Sequence, residues 1–178
     1  RMNRKRLDAE SLRDAMLQKS EELDTRMGGV SDRQFIQTKG VHVTPTLDYL
    51  NFDAADPANL RRSVYRFIFR TVPDPFMQAM DCPDASLLSP QRQESMTALQ
   101  ALAVLNDKFV IRQSERLADR LRKESESLSG RIELIYEWLF ARSPDSAELT
   151  AVIEYAEAHG LSNACRFLLN SNEFMFVD

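Results

Sequence analysis

Six of the seven prolines in this 178-residue chain fall between residues 45 and 90, at Pro45, Pro57, Pro73, Pro75, Pro83 and Pro90. Each one fixes φ and removes a backbone donor, so no long helix runs through that stretch. The flanks read differently, with apolar residues recurring at helical spacing. The contrast divides the chain into a first helix and turn (residues 1–29), an irregular wrap (residues 30–94) and a helical bundle (residues 95–178). A structureless loop of that length is uncommon inside a compact domain. The wrap is therefore expected to lie over the helices, with a small hairpin or extended pair. The fold class expected is mainly α: a bundle of about five helices, a Pro-rich irregular segment and room for one short β element, all in one domain over residues 1–178.

The helical stretches carry start and stop signals. Asp8 can cap a first helix from Leu7 to about Arg26, with Leu12, Ala15, Met16 and Leu23 near helical spacing and Met27-Gly28-Gly29 as its stop. Ser95 or Thr97 can cap a long helix carrying Leu99, Leu102, Phe109, Val110, Leu117 and Leu121, and Ser129-Gly130 reads as the break before Ile132, Ile135, Trp138 and Leu139. Asp145 and Glu148 have capping-box spacing ahead of Leu149, Val152, Ile153 and Ala156, with Gly160 as the stop and a last helix over about 162–171. Helices joined by such short turns pack antiparallel. Within the wrap, Tyr65, Phe67 and Phe69 alternate with Val64, Arg66, Ile68 and Arg70; this suits a short strand, and a buried helical turn equally. The tail closes on Phe174, Phe176 and Val177, and such residues call for a docked, buried terminus.

A net charge of −4 argues against a nucleic-acid partner, which usually meets a basic domain. The basic cluster Arg1, Arg4, Lys5 and Arg6 is followed at once by Asp8, Glu10 and Asp14. No apolar run reaches the roughly 20 residues of a membrane span. Arg makes up 18 of the 23 basic residues, a bias read as surface ion pairing. Arg112, Arg116 and Arg120 form one helical stripe interleaved with Glu115, Asp119 and Glu124, read as an ion-paired face. Cys82 and Cys165 read as two free buried thiols. His42 and His159 are the only histidines, His159 beside Gly160 at a helix end, and no haem-attachment, zincin or phosphate-loop pattern occurs. No metal site is expected.

The polar residues that stand out are Asp81, Thr97, Gln100, Asn106 and Asp107. Thr97 and Gln100 share a helix face, and Asn106-Asp107 interrupts an apolar run. Buried polar groups must find hydrogen-bond partners, and the favoured reading is that these side chains tie down the backbone of the wrap. The alternative is a polar pocket in which Asp81 and Asp107 act as acid and base on a carbohydrate, with Tyr65 or Trp138 as an exposed ring. Arg62, Tyr65, Asn170, Asn172 and Glu173 are secondary candidates, the last three read first as caps and chain ties.

Several segments, taken in order, resemble the C-terminal domain-of-unknown-function family fifteen fifty-three of planctomycete cytochrome-c-like proteins. They are Arg6-Leu-Asp-Ala-Glu10 with Arg13-Asp14, Met27-Gly-Gly29, Arg61-Arg-Ser-Val-Tyr65, Arg70-Thr-Val-Pro73, Pro75-Phe76 and Asp81 with Pro83-Asp84. Thr97-Ala-Leu-Gln-Ala-Leu102, Leu105-Asn-Asp107, Leu139-Phe-Ala-Arg-Ser-Pro144 and Leu168-Leu-Asn-Ser-Asn-Glu-Phe174 complete the series. It departs at Ser95-Met96, where the family pattern has Asn, and at Ala98, which replaces Pro. The resemblance implies a fragment of a larger exported bacterial protein, extracytoplasmic (periplasmic or secreted), with any haem in an upstream domain and none in this chain. Partners would be the sibling domains, or a carbohydrate through the family's association with polysaccharide breakdown. The function expected is a non-catalytic interaction or scaffolding module.

Overall fold

This computed structural model describes residues 5–40, 45–87, 92 and 97–177. The wrap's backbone follows its prolines: among the described residues, two short strands, two single-turn 3-10 helices and one five-residue helix lie between residues 36 and 79. Around it the chain is mainly α, as the spacing predicts. In chain order the elements are β1 (Lys5–Arg6), α1 (Ala9–Lys19), β2 (Ile36–Thr38), β3 (Thr46–Asp48), α2 (Pro75–Ala79) and α3 (Ala98–Asn106). They continue with α4 (Lys108–Glu124), α5 (Leu128–Phe140), α6 (Ser146–His159), α7 (Leu161–Leu169), α8 (Asn172–Met175) and β4 (Phe176–Val177).

α4 is the centre of the bundle. Val110, Gln113, Ser114, Leu117, Ala118 and Leu121 are buried on it, a spacing of three and four that lays one face into the core. That face packs most heavily on α7, whose Leu161, Ala164, Cys165, Leu168 and Leu169 are buried. Ile132 and Ile135 of α5, Val152 and Ala156 of α6, and Leu12 and Met16 of α1 complete the cluster. The capping box at Asp145 and Glu148 forms as its spacing predicts.

Eight α-helices are present among the described residues rather than about five, partly because the long helix expected after Thr97 is broken. Asp107 leaves helical geometry at φ −70 and ψ 134, ending α3 and capping α4 through its carboxylate, which accepts from Phe109 N at 2.8 Å. The first helix is shorter than its apolar spacing suggested. Glu21 takes a left-handed φ of 61, and the N–H groups of Glu22 and Leu23 both donate to Leu17 O, closing α1 well before the glycines. Ser129-Gly130 lies inside α5 rather than before it: Ser127 is the cap and accepts from Gly130 N. A Cβ on Gly130 would stand 2.5 Å from Ser125 Oγ and 2.9 Å from Ser127 Oγ, so the cap folds onto a position without a side chain.

Among the described residues two two-stranded antiparallel sheets form. One is the hairpin of β2 and β3, the small extended pair expected in the wrap. The other joins β1 to β4, with Lys5 opposite Val177 and Arg6 opposite Phe176, and Leu7 N donates to Met175 O at 2.8 Å. The tail is thereby docked, with Phe174 and Met175 buried; Val177, an edge residue of this short ladder, stays half exposed instead of buried. At residues 63–70 neither a regular strand nor an α-turn forms. A 3-10 turn at Ser63–Tyr65 leads into a single parallel bridge from Arg66 to Asp32. Ser95, His42, Arg1 and Arg4 lie outside the described residues.

Candidate functional site

α1 carries the wrap on its Arg13-Asp14 pair. Arg13, 3% exposed, donates to Arg61 O at 3.0 Å, to Ser63 Oγ at 3.4 Å and to Asn59 O, and its guanidinium lies 4.8 Å from the Phe109 ring centre. Burial, with Arg66 nearby, pulls its pKa down to about 9. Asp14 accepts from Ser63 N at 2.7 Å. Arg61 then extends the clamp. It donates to Val30 O, Gly28 O, Arg26 O and the Asp32 carboxylate, and it lies flat over Tyr65 at 4.0 Å. The Tyr65 hydroxyl accepts from Gly28 N at 3.0 Å. Gly28 and Gly29, at φ 75 and 83, give the backbone the left-handed turn that points these groups at one guanidinium. Such planar forks present more donors than an ammonium and hold them in a fixed geometry.

Beside this clamp opens a cleft of about 820 Å³, between the start of α1, residues 62–74 and residues 82–86. Its walls include Val64, Phe67, Ile68, Phe69 and Met77. Phe67 and Phe69 pack edge-on against Phe35 at 6.0 and 6.2 Å, and Tyr49 meets Phe35 at 5.4 Å, so the wrap has a small aromatic core of its own. Val64 and Ile68 are 70% and 60% exposed. The acids of the cleft are engaged. Asp8 caps α1, Glu10 receives two bonds from Arg92, Asp14 binds Ser63 N, Asp74 caps α2 and pairs with Arg66 at 2.6 Å, and Asp84 accepts from Ser86 N. The Cys82 thiol, pushed up to about 11 by burial and by Glu10, stays protonated at neutral pH and is a poor nucleophile.

The family model for PSD1, described as a protein of unknown function (DUF1553), matches residues 1–156. The chain belongs to that family. No curated protein and no solved structure matches it. Within this PSD1 chain, the segments that carry the resemblance hold the clamp residues Arg13, Asp14, Arg61, Ser63 and Tyr65. They also hold Arg142 of the turn after α5.

The structure separates the five polar residues singled out by sequence. Asp81, at a left-handed φ of 60, accepts from Gln100 Nε2 at 2.9 Å and from Arg6 at 2.8 Å, so it ties α3 and β1 to the end of α2. Thr97 and Gln100 form a capping box on α3. Asp81 lines a cavity of about 210 Å³, whereas Asp107 lines a different one of about 200 Å³. Asp107 is a helix cap whose pKa burial raises, with Asp74 adding to the rise, and Asn106 donates back to Leu102 O on its own helix. The two carboxylates do not converge on one pocket.

Of the secondary candidates, Arg62 lines the cleft and stands 3.7 Å from Asp14. Tyr65 lies under Arg61, and Trp138 lies under Arg120 at 3.7 Å, so both rings are covered on one face. Asn170 closes α7, and Asn172 is the first residue of α8. Glu173 pairs with Arg142, which also grips Glu148 through two bonds of 2.7 Å and so ties α5, α6 and α8 together. The Arg stripe of α4 is ion-paired, but across helices: Arg112 and Arg116 meet Glu22, and Arg120 meets Glu21 and the Lys19 carbonyl at the end of α1. His159 closes α6 and stacks near Tyr155 at 4.6 Å. Both cysteines are free, Cys165 buried and Cys82 partly so. Among the described residues no group of three or more His, Cys, Asp or Glu side chains is placed to hold a metal, and no helix is long and apolar enough to cross a membrane.

Arg13, Arg61, Arg66 and Arg142 were not picked out by sequence pattern. Three of them, Arg13, Arg61 and Arg142, stand in the segments that carry the family resemblance, but neither that nor the excess of Arg over Lys says which arginines turn inward.

Proposed function

We propose that this chain is a non-catalytic interaction module of a longer, exported protein, and that its cleft is the surface offered to the sibling domains. One observation carries the reading: the carboxylates around the cleft are held by helix caps, backbone donors or arginines, while Val64 and Ile68 are left to solvent. A catalytic carboxylate needs free reach to a substrate proton, and none of these has the same freedom as the apolar wall beside it. Exposed apolar surface rimmed by polar groups is the usual mark of a protein contact. The resemblance to exported multidomain proteins supports an extracytoplasmic setting.

The test is titration calorimetry of this chain against the separately expressed remainder of the full-length protein. Binding is expected in wild type and lost in Ile68→Glu, with the melting temperature unchanged because Ile68 is largely exposed. Binding unaffected by Ile68→Glu would remove the cleft from the interface.

A further inference from the structure

Resting on that reading, we infer that the cleft takes up an extended segment of the partner polypeptide by strand addition along residues 67–70. An apolar side chain of that segment sits against Ile68 and a carboxylate against Arg70.

The first support is backbone geometry. Phe67 and Phe69 both turn their rings to Phe35, at 6.0 and 6.2 Å, while Ile68 between them is 60% exposed. That alternation is the period of an extended chain. Phe67 N donates to Asp32 O at 2.8 Å, which assigns that side of the segment to the neighbouring loop. In an extended chain the next residue's N–H and C=O point the opposite way. Neither group of Ile68, nor the N–H of Arg70, has a hydrogen-bond partner among the described residues. An open edge of this kind is a template for another strand, and recognition by strand addition draws affinity from main-chain bonds and specificity from alternate side chains. These residues line the cleft of about 820 Å³, a volume in the range of recognition pockets.

The second support is charge. Arg66 and Arg70 each lie two residues from Ile68, Arg70 at the start of the turn that Val72 N closes on Phe69 O. Arg66 is engaged by Asp74 and Gln34. Arg70 donates through Nε to Ala85 O at 2.9 Å and pairs with no carboxylate among the described residues. Across the cleft Asp84 is held by Ser86 N, and Glu10 by Arg92. The cation left to recruit an acid on this edge is Arg70, and opposite charges facing each other across a strand pair are stabilising.

The experiment uses three fluorescein-labelled octapeptides read by anisotropy: one alternating valine and glutamate, one alternating valine and lysine, and the first again with alternate backbone amides methylated. The valine–glutamate probe is expected to bind, with Arg70→Glu weakening it at least about tenfold at an unchanged melting temperature. The lysine probe and the methylated probe are expected not to bind. Failure of the valine–glutamate probe to bind overturns the inference, as does equal binding of the lysine probe or indifference to Arg70→Glu. So does a doubling of mass in light scattering that Ile68→Glu abolishes, which would make the occupant a second copy of this chain. If the remainder of the full-length protein still binds in an Ile68-dependent way while the peptide fails to compete, strand addition falls and the interaction module stands. If the remainder does not bind at all, the module reading falls with it.

Discussion

The bundle and the wrap are held by different forces. In the bundle, α4, α5, α6 and α7 bury Leu117, Leu121, Ile135, Val152, Leu161 and Leu168 against one another, and the core is mostly apolar, with Gln113 and Ser114 of α4 as its buried polar groups. In the wrap and the turn that leads into it, residues 24–34 and 59–66 are held largely by guanidinium groups reaching backbone carbonyls, with one aromatic cluster around Phe35. The difference follows from the prolines. A segment that cannot form helices leaves carbonyls without intrasegment partners, and buried carbonyls must be met by something. Arginine can meet several at once and still lay its flat face on a ring. The bundle would survive modest changes in charge; the wrap would not.

The largest expected effect is in the bundle. Leu121→Ala, at a fully buried site, should lower global stability by about 3 kcal/mol, seen as a fall in melting temperature of roughly 10 °C for a chain of this size. A change confined to the wrap would break the comparison. Next is Arg13→Met, which strips donors from Asn59 O and Arg61 O. A loss of about 2 kcal/mol is expected, with new protease cleavage between residues 50 and 66 while α4 to α7 stay intact on gels. Cleavage spread over the bundle as well would argue that the two regions are not separately held.

Smaller effects sharpen the picture at the helix ends. Arg142 holds the Glu148 carboxyl down to about 2, through direct hydrogen bonds first and the Asp145 backbone second. A depressed folded-state pKa contributes stability that is complete above the ordinary value of 4.5 and is lost as pH falls toward 2. Carbon-detected titration should place Glu148 near 2 in wild type and clearly higher in Arg142→Gln, though still below its ordinary value because the Asp145 backbone bond remains. The stability change itself should be at most about 1 kcal/mol, since the pair is partly exposed. Of similar size, Asp107→Ala should lose the α4 cap for about 1 kcal/mol. Asp107→Asn keeps a capping oxygen and should match or exceed wild type at neutral pH. The raised pKa of Asp107 means that ionisation opposes folding as pH rises through 3.8, and Asn removes that opposition. A large loss in Asp107→Asn, by thermal melting, would restore a special role to that carboxylate.

Much of the fold was legible in the chain. Periodicity located the helices of the bundle, and Asp145 with Glu148 announced their capping box. The misplacements have local causes. Asp107 sits in an apolar stretch that reads as one helix, and only its backbone angles turn it into a hinge between two. Glu21 closes α1 with a left-handed φ that glycine usually supplies, so the true stop lay seven residues before Gly28. The site was less legible. Asp81 and Gln100 do fasten elements together, as polar residues among apolar helices must. The heavier fastening falls to Arg13 and Arg61, which look like surface residues in sequence because nothing local says that their forks turn inward.

Amide hydrogen exchange in Arg13→Met/Arg61→Met against wild type tests the central claim most directly. Protection at Asp24, Asp32 and Phe67, whose N–H groups bond to Leu60 O, Tyr65 O and Asp32 O, should collapse, while protection at Leu117 and Leu121 persists. Equal loss in both regions, or unchanged protection at Asp32 and Phe67, would contradict the account.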